Sequence, residues 1–327
     1  MLRIKVIGTR SLIDDSTYVY RNEYEFVYDA ACREYDWLWV DDRFPKKDVG
    51  SICSGREELA CPRENTILTT QEPVSIKSYG RAFVRQFGHL LTNRPQKADN
   101  HPNYHLGRGY MDWIYGKTYN QCLNDAPINK VNLISTVCFS KDMRLHTNHH
   151  CRLVTTRYLS EHIKELDWFG HGINALEKKY EALDSYKYHI AIENHIAPHH
   201  WTDKLSDSIL GRCLTFYCGD PLVEECFPKE AFIAIPSDNP SRALAIINEA
   251  IANDEYSKRR EAIEVARNLI LEKYNPYAQI VNIIEGAEKC PSRSCGHDNG
   301  YICSRHRLRL NPVNALTDAF EHILRLR

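Results

Sequence analysis

No apolar run in the 327 residues approaches the roughly 20 needed for a helix to cross a bilayer, so a helical membrane span is excluded. The N-terminus passes directly into the strand-like Leu2-Arg3-Ile4-Lys5-Val6-Ile7, and no targeting segment is expected. An excess of charge of one sign is missing too. The 42 basic residues nearly cancel the 43 acidic ones, for a formal charge of -1, which removes the global electrostatic case for a nucleic-acid binder and leaves only a local basic patch open. Internal repeats and low-complexity segments are absent. Cysteine is not scarce, but the 12 present are scattered rather than gathered into a small disulfide framework, which suits a reducing compartment.

What is there reads as a soluble chain of about two domains, each long enough to bury its own core. Leu2 to Ile7, Trp37 to Val40, Thr66 to Thr70 and Gly88 to Thr92 read as short strands, with a helix expected over Glu23 to Glu34. Arg94 to Arg108, rich in Pro, Asn, His and Gly, reads as a loop. Asn124-Asp125-Ala126-Pro127 breaks the pattern and marks a boundary. Strand and helix then alternate: a strand over Val131 to Phe139, a helix over Cys151 to Lys164, a strand end at Leu166 to Gly170, and helical periodicity from Ser241 to Ile284. Such alternation argues for a parallel, doubly wound sheet.

The densest signal runs from Tyr186 to Ile235. Tyr188, Ile190 and Ile192 alternate with His189 and Ala191 as in a half-buried strand, which empties into Glu193-Asn194. After a polar loop, Thr202 is a good N-cap for a helix carrying Leu205 and Ile209 on one face and ending at Gly211. Lys204 therefore sits in the first helical turn, against the helix dipole, where a bound anion explains it better than local stability does. Glu193 and Asn194 end a strand at the carboxyl edge where ligands of open parallel sheets bind; hydrogen bonding within the strand end is the plain alternative.

The run Tyr186 to Asn194, then Trp201-Thr202-Asp203-Lys204-Leu205, then Tyr217-Cys218-Gly219-Asp220-Pro221 and Phe232-Ile233, resembles the signature of the alpha-1,3/4-fucosyltransferases of glycosyltransferase family ten. Members of that family read Tyr-Lys-Phe, Phe-Glu-Asn, Thr-Glu-Lys, Tyr-Gly-x-Pro and Ser-Phe-Ile in the same order. The resemblance covers residues 130 to 236 firmly, is thinner between Glu64 and Tyr115, and is absent from the cysteine-rich tail. It implies a GT-B fold, two Rossmann-like domains facing across a cleft, with a C-terminal helical tail. The organisation to expect is an acceptor-side domain over residues 1–126, a GDP-sugar-binding domain over 127–285, and a Cys-rich loop with an amphipathic helix over 286–327. The implied reaction is inverting transfer of L-fucose from GDP-fucose to a hydroxyl of an oligosaccharide or glycolipid acceptor, without a required cofactor. Secretory-pathway relatives carry an N-terminal membrane anchor, so its absence points to a cytoplasmic enzyme. The rivals are a transferase using another nucleotide sugar and a non-catalytic glycan-binding module.

Displacing GDP loads negative charge onto a diphosphate, so the site needs cations, backbone donors and a base for the attacking hydroxyl. Lys204 and the helix N-terminus supply the first. The resemblance implies Arg152 as the second cation, at the place of the family's diphosphate-binding arginine; a surface helix residue is the alternative. It likewise implies Glu72, in Thr70-Gln71-Glu72-Pro73, as the base, against a solvated turn glutamate. Glu193, Asn194, His200 and Asp203 shape the donor pocket. Asp203 stands where the family has glutamate and reaches about 1.5 Å less far, one C–C bond. His200 stands where relatives have tyrosine, and its charge is pH-dependent. Both departures bear on the donor sugar.

His146, His149, His150 and Cys151 precede Arg152, and His195, His199 and His200 precede Lys204, but a catalytic metal is not expected where cations already serve the phosphate. In the tail, Cys290, Cys295, Cys303 and His306, with His297 as a spare, have the residue types for a structural zinc, against an internal disulfide or a loop with free thiols. Beyond them Ala315, Leu316, Ala319, Phe320, Ile323 and Leu324 fall at helical spacing near several arginines. That helix is expected to pack on the enzyme, with peripheral attachment to an anionic membrane as a second role.

Overall fold

The structure, a computed structural model, describes residues 1–8, 15–109, 112–125, 129–139, 148–288 and 300–325. It is α/β and divides into two compact units, Met1–Gly107 with Pro276–Arg327, and Arg108–Asn275.

The first unit is built on a seven-stranded sheet of β1 (Leu2–Ile7), β2 (Thr17–Tyr20), β3 (Tyr24–Val27), β4 (Trp37–Asp41), β6 (Thr66–Thr69), β7 (His89–Thr92) and β8 (Tyr104–Leu106), in the order β2-β3-β1-β4-β6-β7-β8. All neighbours run parallel except β2 and β3. The helix expected over Glu23 to Glu34 is instead β3 and an irregular segment. Arg21 and Asn22 both take positive φ, which turns the chain into a hairpin and buries Tyr24 and Phe26 on alternate positions. The segment 94–108 read as a loop contains a short helix, Gln96–Asp99, and β8.

The second unit holds β9 (Asn132–Val137), β10 (Leu166–Phe169), β11 (Tyr186–Ile192), β12 (Leu214–Cys218) and β13 (Phe232–Ala234), all parallel in the order β10-β9-β11-β12-β13. Helix His149–His162 follows β9, and helix Asp203–Leu210 follows β11. The order reverses between β9 and β11, which creates the crevice where doubly wound sheets bind ligands. β11 is buried on both faces, not one, because helices cover both sides of a parallel sheet. His189 is tolerated there because its Nδ1 bonds the Ser135 hydroxyl at 2.8 Å.

The unit boundary falls at Gly107/Arg108, ahead of the expected 126/127. Trp201 explains this: a Cβ on Gly109, which has φ +67°, would lie 1.9 Å from its ring, and Trp113 stacks on Tyr119, whose hydroxyl bonds the Leu271 carbonyl at 2.8 Å. At the other end helix Pro276–Glu288 returns to the first unit, ahead of the expected 285/286, because Tyr277 packs among Tyr18, Tyr20 and Phe26. The tail belongs there as well. Its strand β14 (Tyr301–Cys303) pairs with β5 (Arg56–Glu58), and in helix Pro312–Arg325 the buried Asp318 pairs with Arg309 at 2.7 Å. Leu310, Val313, Leu316 and Phe320 remain exposed. Among the described residues no helix is long and apolar enough to cross a membrane.

Candidate functional site

β9 ends at Val137 and β11 at Ile192, on the two sides of the point where the strand order reverses. Arg152, in the first turn of helix His149–His162, is anchored to both. One guanidinium nitrogen donates to Asn194 Oδ1 at 2.9 Å, and the other donates to the Val137 carbonyl. Its planar fork therefore bridges the crevice with the charge held in place.

The opposite wall is the start of helix Asp203–Leu210. Thr202 is its N-cap, as the sequence predicts, and accepts the Lys204 N–H at 3.4 Å. Glu193 fixes the cap. It is 1 % exposed, and its carboxylate accepts the Thr202 N–H at 2.9 Å and the Thr202 hydroxyl at 2.8 Å. Gly219 closes this corner, since a Cβ there would lie 2.5 Å from Glu193 Cγ and 2.2 Å from the Tyr217 hydroxyl. Glu193 and Gly219 thus brace one helix start, while Asn194 belongs to the Arg152 wall.

Between these walls lies a cavity of about 270 Å³, lined by Arg152, Lys179, His189, Asn194, Asp203 and Lys204, with Ile114, Val137 and Phe139 at its apolar side. Arg152, Asn194, Asp203 and Lys204, all inferred from sequence, are brought together. Glu193 is not among the lining residues, because its carboxylate is spent on the cap. His200 is not among them either. It is buried against His195, with ring centres 5.2 Å apart, and its N–H bonds the Ala197 carbonyl. Lys179 and His189 were not inferred from sequence.

The electrostatics follow from burial and pairing. Burial works against the Asp203 carboxylate, but Lys179 and Lys204 outweigh it and hold it well below the usual range. Burial likewise works against the Lys179 ammonium, and Asp203 and Asp207 more than restore it. Asp207 is pushed up by burial, which Lys179 only partly offsets. His200 is pushed down to about 3, by burial first and then by His195 and Lys204, and His189 is held well below 6.5 by burial and the nearby cations.

A pH dependence follows. The unfolded chain takes up protons at His189 and His200 near pH 6.5 that the folded chain refuses, so stability is complete above that pH and is lost as pH falls below it. Between pH 7.5 and 5.5 His200 should cost about 1.4 kcal/mol, and His189 acts in the same direction. Asp207, raised instead, acts in the opposite sense, so the clean measurement is a difference. Urea unfolding of His200→Gln should show a shallower acid loss than the parent by about that amount. Equal pH slopes for the two proteins would show that His200 is not held neutral.

Glu72 lies in the first unit, in the turn after β6. Its N–H donates to the Tyr79 hydroxyl at 3.1 Å, Tyr79 bonds Asp42, and Arg94 ties the turn through the Lys77 carbonyl at 2.9 Å. Two other carboxylates share this sheet edge. Asp41 accepts from Thr69 and Gln71 at 2.7 Å each, and Asp42 pairs with Lys77 at 2.7 Å. Both are buried, whereas Glu72 is half-buried.

Cys290, Cys295, His297 and His146 lie outside the described residues. Cys303 is in β14 and His306 in the helix Arg305–Leu308, and no group of three or more metal-type ligands occurs among the described residues. His149, His150 and Cys151 lie in the first turn of the Arg152 helix rather than in a loop.

No protein-family model and no curated protein sequence matches the chain. Among solved structures it is similar to an alpha1,3-fucosyltransferase with GDP-fucose, at 14% identity over 83% of this chain and 90% of that one, with a TM-score of 0.44. A sucrose-phosphate synthase from Thermosynechococcus elongatus matches at 7% identity over 88% and 99%, TM-score 0.49. A glycosyltransferase from Rickettsia africae ESF-5 matches at 10% over 80% and 78%, TM-score 0.44.

Proposed function

We propose that the chain is a glycosyltransferase using a nucleotide-sugar donor and, more narrowly, an inverting fucosyltransferase that moves L-fucose from GDP-fucose to a hydroxyl of an oligosaccharide or glycolipid acceptor. The observation that carries this is the cavity at the β9/β11 switch point, where Arg152, Lys204 and the N-terminus of a capped helix converge. Two cations beside the positive end of a helix dipole suit a diphosphate, whose departure they stabilise as its charge develops. In the reaction the acceptor oxygen forms a bond to the anomeric carbon as the bond from that carbon to the diphosphate oxygen breaks. Glu72 takes the acceptor proton, and GDP leaves with the bonding pair. Asn194 and Asp203 face the donor from the same cavity, and Glu193 acts through Thr202.

The signature motifs supply the narrower choice of GDP-fucose. One observation favours a different donor sugar: Asp203, shorter than the family's glutamate, is paired with Lys179 at 2.9 Å. Nucleotide release from a panel of nucleotide sugars, with and without acceptor glycans, tests both readings. GDP and GDP-fucose should raise the melting temperature by mass action, and UDP-sugars should not. A shift with UDP-glucose and none with GDP would end the fucosyltransferase reading.

Transfer should also survive EDTA, because Arg152, Lys204 and the helix N-terminus already give the diphosphate a positive field. Activity abolished by EDTA and restored by manganese or magnesium would show instead that an ion carries the leaving group.

A further inference from the structure

Asp203 and Asp207 stand four residues apart on one helix, a like-charged spacing that an isolated helix disfavours. Lys179, just ahead of β11, resolves it. Its ammonium lies 2.9 Å from Asp203 Oδ2 and 2.8 Å from Asp207 Oδ2, and it donates to the Asp203 carbonyl at 3.1 Å. Asp207 is fully buried and accepts the Ile114 N–H at 3.2 Å, so it cannot turn away. Lys204 is held far more loosely. Its ammonium is 3.6 Å from Asp203 Oδ1 and 3.5 Å from Glu193 Oε2, and its hydrogen bond is to the Thr202 hydroxyl at 3.2 Å. Two ammonium groups compete for one carboxylate, and Lys179 has it at the shorter distance.

The geometry points to Lys179 as a positioning residue of the anion site: it sequesters the Asp203 carboxylate so that Lys204 keeps its charge available to an incoming diphosphate. The inference rests on the diphosphate reading of this cavity. Without Lys179, Lys204 is the remaining ammonium partner of Asp203 among the described residues of the cavity wall, and the two charges would cancel where phosphate is to be held. Lys179 then matters for anion binding without touching the anion. Asp207 anchors the clamp from behind, because a buried lysine between two carboxylates has no low-cost alternative position. Arg152 faces the cavity from the other wall with its hydrogen bonds on Asn194 and Val137, so it acts on Asp203 only through its field, after Lys179 and Lys204.

The test uses Lys179→Met, Asp203→Asn and the double variant in the full chain, titrated calorimetrically with inorganic pyrophosphate and with GDP, each variant melted to check folding. Lys179→Met should bind pyrophosphate about tenfold more weakly, the scale of one charge-assisted contact. Asp203→Asn should bind it severalfold more tightly, and the double variant should recover at least parental affinity. A double variant as weak as Lys179→Met would overturn the proposal, since Lys179 would then touch the phosphate itself, as would a Lys179→Met that binds like the parent. If Lys179→Met does not fold, Lys179→Gln takes its place, alone and with Asp203→Asn, and the same outcomes judge the clamp. A parent that binds pyrophosphate but not GDP sinks the nucleotide reading while the order of the variants still judges the clamp; a parent that binds neither overturns both.

Discussion

Replacing Arg152 or Lys204 by alanine should weaken GDP binding by about 1.5–3 kcal/mol, on the order of ten- to a hundredfold, and transfer should fall with it. The two losses differ in origin. Arg152→Ala removes a guanidinium that also ties Asn194 to the end of β9, so the crevice loses its bridge as well as its charge. Arg152→Lys should recover only part of the affinity, because a point charge cannot make both bonds. Lys204→Ala leaves the Asp203 carboxylate in the cavity wall, 3.6 Å from the lost ammonium, with one counter-charge fewer, and takes the same cation from the buried Glu193 at 3.5 Å. Its penalty therefore includes repulsion as well as a lost contact. Calorimetric titration of GDP against GMP separates the terms, since GMP lacks the second phosphate and should lose less in both variants. GDP affinity unchanged within twofold in either variant would remove that residue from the diphosphate site.

The pieces of this site legible in the sequence are those fixed by local rules. Thr202 announces a cap because a hydroxyl ahead of an amphipathic run satisfies an orphan N–H, and the structure shows that bond. Lys204 follows by position, whereas Arg152 was singled out by the family resemblance and by no local rule. What stayed hidden depends on contacts between distant segments. Lys179 meets Asp203 across 24 residues, and no periodicity reports that pairing. The spacing of Asp203 and Asp207 was the available signal, since two carboxylates at i,i+4 need a cation between them. Glu193 misled for the reverse reason: a carboxylate at a strand end invites a ligand, and here the strand end is buried and the nearest donors are the protein's own. The hairpin at Arg21-Asn22 was missed because arginine is a poor residue for positive φ, so the turn chemistry was half written.

Glu72→Gln should separate chemistry from binding. If Glu72 takes the acceptor proton, transfer should fall by roughly 10²-fold or more, the scale of a lost general base, while GDP affinity stays near the parent value. The residues proposed for the diphosphate belong to the second unit and Glu72 to the first. Glu72 is proposed as the base because the two neighbouring carboxylates on the same sheet edge are already engaged. Burial pushes the Asp42 carboxyl up, but Lys77 and Tyr79 outweigh it and hold the group ionised below its usual range, which leaves a weak base. Asp41 is occupied by Thr69 and Gln71. The turn that carries Glu72 is pinned at its backbone through Tyr79 and Arg94, so glutamine should change the charge without moving the loop, and the melting temperature should hold. The decisive measurement is initial rate against pH for parent and variant. Loss of the acid limb together with the rate identifies Glu72 as the base; wild-type turnover in Glu72→Gln would move that role to another carboxylate and leave the phosphate site standing without it.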